Sequence, residues 1–372
     1  MKAVLSTVAL AAMVAGCIAP SGDSNRDTSD NQVTSDELRA GQKIVETVEQ
    51  HNLVSDQANE ADFQDPRLVN AWGLAFSPIG TAWVAANGRG ISFVFNGDGS
   101  TVFTVNIPAP QGVKGSSPTG QVFNGVPADF AGDAFILVTE DGTVAGWQSG
   151  TDAALRFVAD DGAIYKGVAI AQAHKERRLY ATDFHNDKID VFDSGYHLVR
   201  GEKGFVDQGL PAGFAPFNVF AYKDVLIVTY AKQDADLADD VAGPGNGFVD
   251  AFDVEGRLLK RLITRGELNS PWGVAVAPDD FGRASNKLLV GNFGDGRINA
   301  YDVSMRASEV NVKFAGQLGT KDHRPLVIDG LWALAFGPGV NGFDDDEIYF
   351  TAGPDDEEHG LFGELSVAAK KK

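Results

Sequence analysis

The hairpin "TDFHND", Thr182 to Asp187, sets a histidine between two aspartates. His185 flanked by Asp183 and Asp187 suits a general base oriented by a carboxylate, or a metal ligand backed by one; ordinary turn chemistry at a surface is the third reading. A longer run, "AKQDADLADDVAGPGNG" at residues 231–247, collects Asp234, Asp236, Asp239 and Asp240 ahead of a Gly-Pro-Gly turn. Carboxylates of this kind hold hard cations such as Ca2+, and the alternative is a solvated acidic loop. The spacing lacks the sixth-position glycine and twelfth-position glutamate of an EF-hand. Lys232, inside the run, is expected to be held by neighbouring carboxylates.

"GNFGDGRINAYD", residues 291–302, has the glycines of a phosphate loop, yet such a loop leads from a strand into a helix. Here "RINAYD" alternates as a strand does, so the glycines and Asp295 serve a tight hairpin turn. The chain contains no Gly-x-Ser-x-Gly elbow, no haem-attachment cysteine pair and no histidine zinc signature. A net charge of −20 argues against attraction to nucleic acid or to anionic lipid.

The elements that must position these residues come from a repeat. One apolar strand pattern recurs as "WGLAF" at Trp72, "TGQVF" at Thr119, "KGVAI" at Lys166, "FNVFA" at Phe217, "WGVAV" at Trp272 and "WALAF" at Trp332. Each copy is followed by a second strand, a turn and a third strand. An all-strand unit of this size cannot bury its faces alone, and radial closure leaves only short edges. The reading is therefore all-β: a single β-propeller of six blades, with five or seven as the competing counts. The segment "KIVETVEQHNLVSD", residues 43–56, has no repeat of its own and is expected to close the ring as the outer strand of the last blade.

In that frame the second strands end at Asn87, Glu140, Asp183, Ala231, Asn292 and Gly353, with Lys232, Asp355 and His359 just beyond. Asn87, Glu140, Asp183, Lys232, Asn292, Asp355 and His359 thus face one end of the propeller and are the candidate ligand-facing set. Glu140, Asp183 and Asn292 form a candidate divalent-metal set, with the acidic loop as the alternative metal site. His185 and Asp183 are the candidate catalytic pair. Trp72, Phe217, Trp272 and Trp332 occupy equivalent first-strand positions, where packing between blades or an aromatic mouth for a planar ligand would explain them.

The stretches "PWGVAV" and "LLVGN…GRINAYD" resemble NHL-type and gluconolactonase-like six-bladed propellers. From about Asn52 to Leu365 the chain also resembles a family of bacterial secreted proteins, on "LVNAWGLAFSP", "YKGVAIA", "ATDFHNDKIDVFD" and "TAGPDDEEHGLFG". The second resemblance implies the fold and an export route but no activity. Gluconolactonase-like propellers bind a divalent metal through Glu, Asn and Asp of different blades; the residue types are present here without a position-by-position match.

The N-terminus, "MKAVLSTVALAAMVAGC", has a positive charge at Lys2, a short apolar run and small residues before Cys17. "VAGC" resembles the lipobox of bacterial lipoproteins, which implies cleavage after residue 16, a lipid on Cys17, and an anchor in the cell envelope. Ile18 in place of Asp favours the outer membrane if the organism has one. The organisation expected is a signal peptide at 1–16, a polar tether at 17–42, the propeller at 43–368 and a tail at 369–372. The function expected is binding of an envelope protein or small extracellular ligand on one face, or alternatively a metal-dependent hydrolase or lactonase.

Overall fold

The computed structural model describes residues 43–199, 204–306 and 309–368. The signal peptide, Cys17, the tether and the tail lie outside the described residues. A long first strand, β1 (Ile44–Ser55), is joined by the short parallel β2 (Phe63–Gln64). Consecutive antiparallel units follow. The first holds β3 (Ala71–Phe76), β4 (Ala82–Ala86), β5 (Ile91–Phe95) and β6 (Thr101–Asn106). The second holds β7 (Pro118–Phe123), β8 (Phe135–Thr139), β9 (Thr143–Trp147) and β10 (Ala154–Val158). The third has β11 (Tyr165–Ala173), β12 (Glu176–Asp183) and β13 (Lys188–Phe192), extended by a bridge from Phe192 to Leu198. Then come β14 (Phe214–Tyr222), β15 (Val225–Lys232), β16 (Phe248–Asp253) and β17 (Leu258–Thr264). The fifth unit is β18 (Pro271–Val276), β19 (Leu288–Asn292), β20 (Ile298–Arg306) and β21 (Glu309–Gly319). The last is β22 (Leu331–Phe336), β23 (Ile348–Ala352) and β24 (Leu361–Val367). No helix among the described residues is long and apolar enough to cross a membrane.

The units close into a ring, and polar side chains show how. Gln121 Nε2 donates to the carbonyl of Gly73 at 2.7 Å, Thr119 Oγ1 to that of Tyr165 at 2.7 Å, and Asn218 Nδ2 to that of Trp272 at 2.8 Å. Thr182 reaches the carbonyl of Phe217, and Thr351 of the last unit donates to Trp72 of the first. The carbonyls served belong to innermost strands, whose side facing the next unit has no ladder partner. The repeated glycine of the sequence pattern is explained at the same place. A Cβ on Gly73 would stand 2.3 Å from the carbonyl oxygen of Thr119, and one on Gly120 would stand 2.9 Å from the Cα of Gly167. The innermost strands approach too closely for a side chain there.

Apolar layers fill the spaces between units. Trp83 stacks on Phe135 with centroids 3.9 Å apart, and Val105, Leu137 and Ala145 pack around them. Burying one large side chain of this kind contributes about 2–3 kcal/mol. β1 pairs antiparallel with β24 from Val48 to Ser55, as expected of a closing strand. It also does more: residues 44–47 run parallel to β21, so one strand bonds the fifth unit to the last. The opening turn of "GNFGDGRINAYD" is a hairpin between β19 and β20. Gly296 has φ of 68°, and a Cβ there would meet the Ile328 carbonyl at 2.2 Å.

Candidate functional site at the channel mouth

The innermost strands β3, β7, β11, β14, β18 and β22 surround a cavity of about 270 Å³ lined by Leu74, Gln121, Val168, Val219, Val274 and Leu334, among others. Its wall is largely aliphatic. Toward the end where the second strands finish, aromatic rings plug it: Trp72 stacks on Trp332 at 3.6 Å, Phe293 stacks on the same ring at 3.9 Å, and Trp272 meets Trp72 edge-on at 6.4 Å. Trp72, Trp272 and Trp332 are buried. Packing therefore accounts for these rings, and their faces are used by one another.

On top of the plug sits a charged group from several units. Lys166, on the innermost strand β11, is 1% exposed, and its Nζ donates to Glu140 Oε1 at 2.5 Å and Asp239 Oδ1 at 2.9 Å. The ammonium also lies 5.1 Å from the centre of the Trp72 ring. Burial alone lowers a lysine pKa; the charges of Glu140 and Asp239 outweigh it and hold Lys166 above the ordinary lysine range. It is a fixed cation, not a free amine nucleophile. Asn87 Nδ2 donates to the other oxygen of Glu140 at 2.8 Å.

Asn70 and Glu357 complete the arrangement. Asn70 Oδ1 accepts from Trp332 Nε1 at 2.9 Å, and its amide nitrogen donates to Glu357. Burial pushes the Glu357 carboxyl up to about 7, helped by the nearby charges of Glu140 and Asp239 and opposed by Lys166. A carboxyl in that range can give or take a proton at neutral pH. Asp240 is pushed up to about 6 by burial, an effect eased by Ser270 and Lys166. Ser270 Oγ stands near it without meeting hydrogen-bond geometry, and Trp72 Nε1, Trp272 Nε1 and Asn292 Oδ1 are likewise buried without partners. Each such group costs about 1–3 kcal/mol unless something answers it.

The structure brings part of the expected set together. Asn87 and Glu140 meet at the mouth, and of the acidic loop Asp239 and Asp240 reach it. Asp234 instead accepts the backbone N–H groups of Ala238 and Asp239, and Asp236 is exposed. Lys232 departs from expectation: it is exposed and makes no ion pair among the described residues, since Asp234 holds its own turn, Asp236 faces solvent and Asp239 bonds to Lys166. Glu140, Asp183 and Asn292 stand in three different hydrogen-bond networks. Asp183 accepts from Ile164 N and from Asn186, with Lys188 3.4 Å away, and Asn292 Nδ2 donates to the Glu267 carbonyl and Asp295. Among the described residues no three His, Cys, Asp or Glu side chains are grouped to hold a metal ion. His185 lies 3.3 Å from the Leu237 carbonyl, with Asp183 committed elsewhere. His359 contacts Asp56 at 2.9 Å and Asp355 at 3.9 Å, which ties it to the end of β1 and not to His185. Asp355 is exposed, its backbone N–H bound to Asp329.

Lys166, Asn70, Glu357 and Ser270 were not among the expected site residues. One signal pointed to Lys166: it holds the first-strand position that is Trp72, Phe217, Trp272 or Trp332 in other copies. Asn70 and Glu357 sit outside the repeated strands and offered no such signal.

Comparison with known proteins follows the fold. No family model matches the chain. It is 31% identical over 343 residues to the uncharacterized protein R648 of Acanthamoeba polyphaga mimivirus, covering 87% of this chain and 81% of that one. A second mimivirus protein, L690, is 29% identical over 348 residues, covering 87% of each. Among solved structures it is similar to virginiamycin B lyase from Staphylococcus aureus, with 10% identity and a TM-score of 0.51 over 87% of this chain and 99% of that one. A Thermus glucose dehydrogenase, described as a putative oxidoreductase, gives 14% identity and a TM-score of 0.51 over 86% and 99%. These matches support the propeller part of the sequence resemblance. They give no support to its bacterial secreted part, since both sequence relatives are viral.

Proposed function

The chain belongs to the family of the mimivirus protein R648, and on its β-propeller we propose an exported protein that binds a small ligand or a partner protein at the hairpin end of the channel. One observation carries the binding half: Lys166, Glu140 and Asp239, from three different units, meet beside Glu357 at that end, whereas the rest of the channel wall is largely aliphatic. Binding sites concentrate a few convergent polar groups in an otherwise apolar concavity. The export half rests on the apolar segment ending at Cys17. Enzymes share this fold, but at such low identity they lend the fold alone.

The test has two arms. Glu140→Gln with Asp239→Asn is expected to keep the fold by circular dichroism and to abolish capture of a specific partner, or the ligand-induced rise in melting temperature, seen with the parent protein. Capture or rise left intact by the pair would place binding elsewhere. Cys17→Ser is expected to move the protein from the membrane fraction to the soluble one; unchanged fractionation would remove the lipid anchor. Calcium, magnesium and manganese belong in the melting series as a direct test of divalent-ion binding, since the described residues group no three carboxylate or histidine side chains for one.

A further inference from the structure

We infer that residues 233–247 form a lid over a site for a neutral, hydroxyl-bearing ligand at the channel mouth; this rests on the binding reading above and names the chemistry of the ligand. The segment is inserted between β15 and β16 and its only ladder contacts among the described residues are two isolated bridges, Gln233 to Asp240 within it and Asn246 to Asn269 at its far end. Polar contacts fasten it: Asp239 to Lys166, Gln233 Nε2 to the Phe184 carbonyl at 2.6 Å, and Gly243 N–H to Asn269 Oδ1 at 2.6 Å. Its Leu237 and Val241 side chains are exposed, so apolar burial does little to fix it.

The polar atoms around the mouth that lack partners decide the ligand class. Trp72 Nε1 and Trp272 Nε1 can only donate, the ionised Asp240 Oδ2 and Asn292 Oδ1 can only accept, and Ser270 Oγ does both. They belong to neighbours: the two indoles meet edge-on, Ser270 lies two positions before Trp272, and Asn292 is the cross-strand partner of Pro271. A metal ion or an ammonium would answer the acceptors and leave indole N–H groups facing a positive charge. A carboxylate or phosphate would do the reverse. A hydroxyl donates and accepts at one atom, so several hydroxyls on one uncharged molecule match the whole set.

The experiment titrates the full-length protein with myo-inositol and D-glucose, using calcium chloride and sodium acetate as charged controls and reading tryptophan emission. The polyols are expected to give a saturable shift that the charged controls do not. Ser270→Ala and Asp240→Asn, each checked for native circular dichroism, are expected to weaken it at least tenfold. Asp239→Asn is expected to speed proteolytic cleavage within 233–247, and bound polyol to slow it in the parent protein. Saturable binding of calcium or acetate in place of the polyols would overturn the inference and leave the broader binding reading standing. A polyol shift indifferent to Ser270→Ala would overturn the location. No saturable change with any probe, the mouth being satisfied by water alone, would overturn the inference; loss of partner capture in the Glu140 and Asp239 variant would still uphold the broader reading.

Discussion

Lys166 and Arg261 are each shared by two carboxylates, and the two sets behave differently. At the mouth, Lys166 bonds directly to both Glu140 and Asp239, which are 26% and 66% exposed. On the fourth unit, Arg261 bonds to Asp207 but reaches Asp250 only at 3.6 Å. Asp250 is fully buried and neither of its oxygens receives a hydrogen bond. Burial, then the charge of Asp207, pushes its carboxyl up to about 7 against the pull of Arg261. Where both carboxylates bond to the cation, the cation is held above its ordinary range; where one carboxylate lacks a donor, its own carboxyl is pushed up instead.

The largest expected effect is from Lys166→Met, which strands two carboxylates beside Glu357. Breaking a buried pair costs about 3–5 kcal/mol, and the exposure of Asp239 places this case at the lower end. Urea unfolding midpoints measure it, and a loss under about 1 kcal/mol would mean that the mouth carboxylates simply relax into water.

Asp250→Asn comes next. The folded pKa of about 7 lies above the ordinary 3.8, so the native state keeps a proton that the unfolded chain releases. The stability from this group is complete below about pH 4 and is lost as pH rises through 7, roughly 4 kcal/mol in all. The variant should lack this decline and exceed the parent in stability at pH 8. Parallel pH profiles for the two proteins would dissolve the contrast between the sets.

The smallest effect is expected from Asp239→Asn. Its carboxylate is mostly solvated and Lys166 retains Glu140, so global stability should fall by less than about 1 kcal/mol. A loss as large as that of Lys166→Met would show that the contact with Asp239, and not the one with Glu140, carries the stability of the set.

Much of the fold was legible because its cause is local. The strand pattern around Trp72, Thr119, Lys166, Phe217, Trp272 and Trp332 repeats in the chain and in space, and its glycine at 73, 120, 167 and 273 sits where innermost strands nearly touch, with Asn218 and Ala333 in the other two copies. The site was less legible because its contacts are not local. Asn70 and Glu357 meet across 287 positions, and nothing in either neighbourhood announces the other. Asp239 was visible as acidic but not as the partner of Lys166, which required the loop to fold back over β11. Tertiary placement likewise separated Asp183 from Glu140, although both end second strands.

β1 carries a consequence for how the protein is made. His51 contacts Glu364, 313 residues further along the chain, so the first strand leaves the ribosome long before the strand that receives it. At about 5–20 residues per second the wait is roughly 15–60 s. Throughout it, Leu53 and Val54, buried in the finished protein, belong to an open strand edge that a neighbouring nascent chain could occupy. Glu46, Glu49 and His51 along the same strand put charge and polarity on that edge, which discourages such pairing until β24 is synthesised.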